Sequence, residues 1–296
     1  MNTLESYLYW RGDLLFEQDP LNEVDGMILS ELSYINYFAL SNPMPKSIQE
    51  AAKAWAHLGE KELQNKDSII RKEAYDLLLL CGNSPRFKDL ILEDFVYEVS
   101  IEDDSQFGAI KYVYKNKDFF IAFQGTDLHV IGWKEDFGLS YLPAIPSQDK
   151  AKKYLTRHLK NFQGKLSIGG HSKGGNLAIY SLIFQEKEDQ DKVKFVYNYD
   201  GPGFNQFILL KSSYERILPK IKSFVPQDSL VGLLLYRLEE EIVVETSSKS
   251  LKQHLGYYWK VEKNFFKRGQ LSQDAKKLSM VLDKTLEHLD EEQKSI

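Results

Sequence analysis

The sequence predicts an α/β fold, with a mostly parallel central sheet flanked by helices and preceded by a helical N-terminal region. Three observations carry this. Up to about residue 90, apolar positions recur at spacings of three and four, the helical period. From Phe95 onward, β-branched and aromatic runs appear between polar turns. After Gly125 such runs alternate with helix-length segments, the order of βαβ units.

Taken in order, Val24, Met27, Ile28, Leu32, Ile35 and Phe38 form one apolar stripe between Pro20 and Leu40. A helix over Ser47 to Leu63 opens on a capping-box pair, Ser47 and Glu50. A third is expected from Asp67 to Leu80, stopped by Gly82, Asn83 and Pro85, because Gly and Pro do not comfortably continue a helix. Strands are expected at Phe95 to Val99, Gly108 to Tyr114 and Phe119 to Phe123, the last two joined by a hairpin loop over Lys115 to Asp118. Helices near Gly132 to Tyr141 and Asp149 to Leu159 lead to a strand at Lys165 to Ile168. A helix at Gly174 to Gln185, a strand at Val193 to Tyr199, a helix at Asn205 to Leu218 and a strand at Ile221 to Val225 follow. A charged helix from Ser272 to Glu292 closes the chain. The expected division is a helical region, 1–90, packed on a core, 91–296, that includes the C-terminal helix.

Composition narrows the function. The 296 residues are 43% hydrophobic and 13% aromatic, enough for a sizeable core. Lys and Arg number 38 against 43 Asp and Glu, a net charge of −5, so nucleic acid is not an expected partner. The one cysteine, Cys81, rules out a disulfide framework and any multi-cysteine zinc site. Neither a targeting segment nor an apolar run of membrane-spanning length is visible, and a cytoplasmic location is expected. No metal-ligand spacing, phosphate loop or dinucleotide fingerprint occurs, so no cofactor and no metal are expected. Oligomeric state is not legible.

The chemistry centres on Gly170-His171-Ser172-Lys173-Gly174, a G-x-S-x-G. Alone the pattern is common; its setting makes it specific. A strand-like segment precedes it and a helix-like segment follows, as a nucleophile elbow requires. There the serine sits on a sharp strand-to-helix turn, Gly170 and Gly174 leave room for the backbone, and the helix N-terminus favours developing negative charge. The α/β-hydrolase chain order is serine, acid, histidine. Of six histidines only His254 and His288 follow Ser172. His254, on a loop before an aromatic run, is preferred to His288, which lies among Glu287, Asp290 and Glu291. Two acids follow strands, Asp200 and Asp228. Asp228 is preferred, because the hydrolase fold usually takes its acid from the second strand after the elbow. An oxyanion hole would use the backbone N–H of Lys173 and that of Thr126, from the loop leaving the Phe119 to Phe123 strand. The Thr126 hydroxyl would add a further hydrogen bond.

These residues carry a resemblance. Phe123-Gln124-Gly125-Thr126, with Trp133 and Asp136 beyond it, resembles the F-R-G-[ST]…W-x-x-D segment of class 3 (fungal-type) lipases. Gly170-His171-Ser172-Lys173-Gly174-Gly175 resembles their G-H-S-L-G-G elbow, and Asp200-Gly201-Pro202-Gly203-Phe204-Asn205 their strand-end turn. The G-H-S-K-G-G-N-L-A form is closer still to the bacterial Mbeg-like family of lipase-related α/β-hydrolases. So are Trp10-Arg11-Gly12-Asp13 and Asn22-Glu23-Val24-Asp25 near the start. Two positions depart from the lipases: Gln124 replaces an arginine, and Lys173 replaces an apolar residue, which puts a cation beside the elbow. The resemblance implies a lid over an acyl pocket in Leu128 to Pro146, with Trp133 and Phe137 on the substrate; Leu233 is a second candidate wall. Core packing is the other reading of these apolar residues.

The expected function is a serine hydrolase cleaving a small or lipid-like carboxylic ester through Ser172, His254 and Asp228. A thioesterase or acyltransferase on the same triad, favoured by a basic groove near Lys173, and a non-catalytic scaffold on the same fold stay open.

Overall fold

The computed structural model describes residues 3–58, 69–114, 118–126, 132, 135–136, 138–277 and 280–281. Among these, seven strands form one sheet in chain order: β1 (Ile91–Ser100), β2 (Ser105–Val113), β3 (Phe119–Phe123), β4 (Leu166–His171), β5 (Val193–Tyr199), β6 (Ile221–Pro226) and β7 (Glu241–Val244). β1, β2 and β3 are antiparallel; from β3 to β7 every pairing is parallel. A small antiparallel pair, β8 (Val261–Glu262) and β9 (Phe265–Phe266), follows. The fold is α/β.

Residues of β3 explain how two helical layers meet this sheet. All five are buried, as in a strand covered on both faces. Successive side chains point to opposite faces: Phe119, Ile121 and Phe123 join one core, Phe120 and Ala122 the other. The first core is closed by α6 (Pro146–Leu159) and α7 (Lys173–Ile183), through Tyr154, Leu155, Leu177 and Ile179. The second is closed by the N-terminal helices α1 (Leu4–Arg11), α2 (Glu23–Leu32), α3 (Tyr37–Leu40), α4 (Ile48–Leu58) and α5 (Ile69–Asn83). In α2 every residue from Val24 to Leu32 is buried.

Polar groups fasten this N-terminal layer. Asn22 caps α2 by accepting from the N–H groups of Val24 and Asp25, while Asp25 accepts from the Asn22 N–H, a capping box. Arg86, after α5, holds both oxygens of Asp25 at 2.8 and 2.5 Å, and Tyr7 donates to the same carboxylate. Part of the Asn22–Asp25 motif is thus structural.

Several elements differ from expectation. The Pro20 to Leu40 stripe is two helices, because Asn36 caps a new one by accepting from the Ala39 N–H. Helix α5 runs through Gly82 instead of stopping before it. A Cβ there would lie 2.3 Å from the Ala52 Cβ, so this glycine admits close packing of α4 on α5. Asn205 to Leu218 forms two short helices, Gln206–Leu209 and Ser212–Ile217. β7 to β9, short and mixed in polarity, have no counterpart in the sequence reading. The tip of the Lys115 to Asp118 loop and residues 282–292 of the closing helix lie outside the described residues. Among the described residues no helix is long and apolar enough to cross a membrane.

Candidate active site

β4 ends at His171 and α7 begins at Lys173, so Ser172 is the single residue turning strand into helix. It has φ 57° and ψ −134°, a positive φ that L-residues avoid. The turn is held because the Ser172 N–H donates to the Tyr199 carbonyl at 2.9 Å. A Cβ at Gly170 would meet the Gly174 carbonyl carbon at 2.3 Å, and one at Gly174 the Phe123 carbonyl oxygen at 2.1 Å. Both glycines let the elbow backbone press against the end of β3. Ser172 itself is half-buried.

His254 ends a 3-10 turn, Ser250–His254, beyond β7. Its Nδ1 lies 2.7 Å from Asp200 Oδ2. Asp200 is buried at the end of β5, also with a positive φ of 53°. Its other oxygen accepts from the Ser229 hydroxyl at 2.5 Å and the Gly232 N–H at 3.1 Å. The turn carrying Asp200 is braced from two sides. Asn176 of α7 donates to the carbonyls of Pro202 and Gly203, and the Gly201 N–H donates to Asn198.

Asp228 is therefore not the partner of His254. It is exposed, two residues past β6, and exchanges hydrogen bonds with Gln253: its N–H donates to Gln253 Oε1 at 3.1 Å, and Gln253 Nε2 donates to its Oδ2 at 3.3 Å. Strand adjacency explains the difference. β5 is the direct neighbour of the elbow strand and β6 is one strand further out, about 5 Å more in the sheet plane.

Lys173 does not offer a free cation either. Its ammonium is 1% exposed and donates to Glu135 Oε2 at 2.8 Å and to the Gln106 carbonyl at 3.2 Å, with Asp136 Oδ1 at 3.5 Å. Glu135 also accepts from the N–H groups of Gln106 and Ser147. The Gln124–Thr126 loop lies against the elbow, since a Cβ on Gly125 would be 3.1 Å from the Ser172 Cβ. The Thr126 hydroxyl donates to Asp136 Oδ2 at 2.6 Å, so its proton is engaged. Burial pushes the Asp136 carboxyl up, opposed chiefly by Lys173 and by the Thr126 hydroxyl.

Leu233 is buried in the 3-10 turn Val231–Leu233, whose Gly232 braces Asp200. Trp133, Phe137 and His288 lie outside the described residues.

The model of the Mbeg1-like family matches residues 81–296. The chain belongs to the Mbeg1-like family. A search of curated proteins finds no match. Among solved structures, this Mbeg1-like protein is similar to a Rhizomucor miehei lipase–propeptide complex. The identity is 18% and the TM-score 0.40, over 52% of this chain and 57% of that one. It is also similar to M37 lipase, with 15% identity and a TM-score of 0.39 over 70% of this chain and 68% of that one. The Mbeg1-like chain thus spans little more than half of the Rhizomucor miehei chain.

His171 neighbours the Asp200–His254 pair, although the sequence reading gives it no role. It packs beside His254 with ring centroids 4.6 Å apart, and its Nε2 lies 2.7 Å from the His254 carbonyl oxygen. Its place between Gly170 and Ser172 was visible. Its partner, Tyr34, lies 137 residues away and had no local signal.

Proposed function

We propose that this protein is a serine hydrolase acting on a carboxylic ester, with Ser172 as nucleophile, His254 as base and Asp200 as the acid that orients it. The observation supporting this most directly is the 2.7 Å contact between His254 Nδ1 and the buried Asp200, on a strand whose last residue, Tyr199, accepts from the N–H of Ser172 on its strained turn. A carboxylate already accepting from Ser229 and Gly232 is an acceptor, so the His254 Nδ1 carries the proton and Nε2 is left as the base.

In this reading Ser172 Oγ attacks the ester carbonyl as its proton passes to His254 Nε2. The tetrahedral oxyanion is held by the backbone N–H groups of Thr126 and Lys173. His254 then protonates the departing alkoxide, and water, deprotonated by the same imidazole, hydrolyses the acyl-enzyme. With the Thr126 hydroxyl donating to Asp136, that residue contributes its main chain. Trp133, Phe137 and Leu233 are assigned to the acyl side of the site from the lipase resemblance. A lipid-like ester is the substrate this favours. The buried Lys173–Glu135 pair removes the free cation that a phosphate-bearing thioester would have used.

Labelling with a fluorophosphonate probe tests the reading. The folded wild-type protein should label and Ser172→Ala should not; an unlabelled wild type overturns it. A series of p-nitrophenyl esters then fixes the acyl length.

A further inference from the structure

We propose that His171 is a positioning residue for His254: a donor that pins the main chain of the base from beneath, held in the required tautomer by Tyr34 of the N-terminal layer. The inference rests on the hydrolase reading above for its consequence, though not for its geometry.

The need for such a pin is visible in the loop. His254 is carried by a 3-10 turn beyond the sheet, with Leu251 in the same turn 76% exposed. Ladder hydrogen bonds do not reach it. Apart from the His254–Asp200 contact, side-chain bonds hold it: Trp259 Nε1 donates to the Gln253 carbonyl at 2.8 Å, Asp228 and Gln253 exchange two, and His171 Nε2 meets the His254 carbonyl. Of these, only the last acts on His254 itself and ties it to the strand that presents Ser172. A catalytic pair must be held to within about half an ångström, and a lone histidine-to-aspartate bond leaves the ring free to swing with its backbone.

The tautomer follows from the partners. A carbonyl oxygen only accepts, so His171 Nε2 must carry a proton. Tyr34 OH lies 3.2 Å from Nδ1 and is placed to donate to it. Those two bonds satisfy a neutral ring with Nε2 protonated, and both ring nitrogens of a fully buried imidazole are thereby paired. Burial holds His171 down to about 3, which keeps it neutral. Glu31 Oε1, 3.7 Å from Nδ1, does not disturb this. Burial raises its carboxyl to about 8, so at neutral pH it is mostly protonated and adds little charge that would draw a second proton onto the ring. Glu31 and Tyr34 both belong to the N-terminal layer, which in this way reaches the base through one intermediary.

Three measurements test the assignment. Nitrogen-15 spectra of the imidazoles in the unliganded protein should show His171 as the Nε2–H tautomer from mildly acidic to mildly basic pH, and Tyr34→Phe should admit the Nδ1–H form. His171→Phe, which keeps the ring volume and loses the donor, should lower kcat by roughly 10²-fold with KM little changed, as a small misplacement of a catalytic group does. His171→Gln, whose amide reaches the same carbonyl, should recover most of that loss. If His171→Phe does not fold, His171→Asn, too short to reach the carbonyl, replaces it in the comparison with His171→Gln. A wild-type kcat in the Phe or Asn variant, or a His171 that is protonated at Nδ1 in the wild type, overturns the proposal. Absence of fluorophosphonate labelling in the wild type would instead remove the hydrolase reading, and the tautomer measurement would still judge the pin.

Discussion

His254 and Asp200, 54 residues apart in the chain, meet through Nδ1 and Oδ2 at 2.7 Å, and Asp200 is buried while doing so. Replacing Asp200 by Asn leaves the shape and reverses the bond's logic, since an amide nitrogen facing Nδ1 favours the wrong tautomer. Asp200→Asn should reduce kcat by roughly 10⁴-fold on an ester substrate, the scale seen when a triad acid is neutralised. Asp228→Asn should stay within a few-fold of wild type, because the side-chain hydrogen bonds of Asp228 among the described residues run to Gln253 and not to His254. Equal losses in both variants would mean that Asp228 has a larger part than its contacts give it.

The choice between these aspartates shows how far the sequence could be read. The run of β3, the strand ending at Tyr199 and the elbow around Ser172 were all legible, since each depends on local periodicity and on glycines whose spacing is fixed by a tight turn. The choice of acid depends on which strand end the 250–254 loop lies over, and strand counting carries no such information. The burial of Lys173 was hidden for a related reason. Glu135, the carboxylate that receives its ammonium, lies 38 residues earlier on another element. A lysine next to a nucleophile reads as an exposed cation until that partner is placed.

Lys173→Met should destabilise the protein strongly. It would leave the Glu135 carboxylate buried without its ion partner, a loss of about 3–5 kcal/mol in comparable cases. Adding Glu135→Gln should recover much of this in urea unfolding, giving a coupling energy between the two positions. Additive losses would show that the pair is not energetically coupled.

Gly174→Ala is a test of the elbow's packing. The added Cβ would sit 2.1 Å from the Phe123 carbonyl oxygen, a backbone atom that cannot rotate away. A destabilisation of about 3 kcal/mol or more is expected from chemical denaturation, with slower fluorophosphonate labelling in whatever protein folds. A variant as stable as wild type would mean that β3 and the elbow are less tightly apposed than described.

Glu31 should leave a signature in stability against pH. Burial raises its carboxyl from 4.5 to about 8, so the folded protein keeps a proton that the unfolded chain releases. The stability this group contributes is full below 4.5 and declines as pH rises to about 8. Glu31→Gln, neutral throughout, should match wild type at the acid end of that window and exceed it by a few kcal/mol at the basic end. His171, lowered from 6.5 to about 3, works in the opposite sense, removing stability as pH falls below 6.5. The difference between variant and wild type, followed by urea melts across the window, isolates Glu31. A difference that does not change with pH would place the Glu31 charge in water.

One last consequence concerns the second core, in which side chains from α1 to α5 interleave with Ile110, Tyr112, Phe120, Ala122, Tyr197 and Tyr199. Cutting the chain at residue 90 would expose most of that side of the sheet as aromatic and aliphatic surface, leaving Trp259, Val261 and Phe266 to cover only the part around Tyr199 and Phe224. A fragment carrying Ser172, Asp200 and His254 complete would then be expected to clump rather than fold. The leading third of the chain is one of the two layers that cover the sheet, and inheritance of the site without it would be inheritance of a sequence, not of a folded protein.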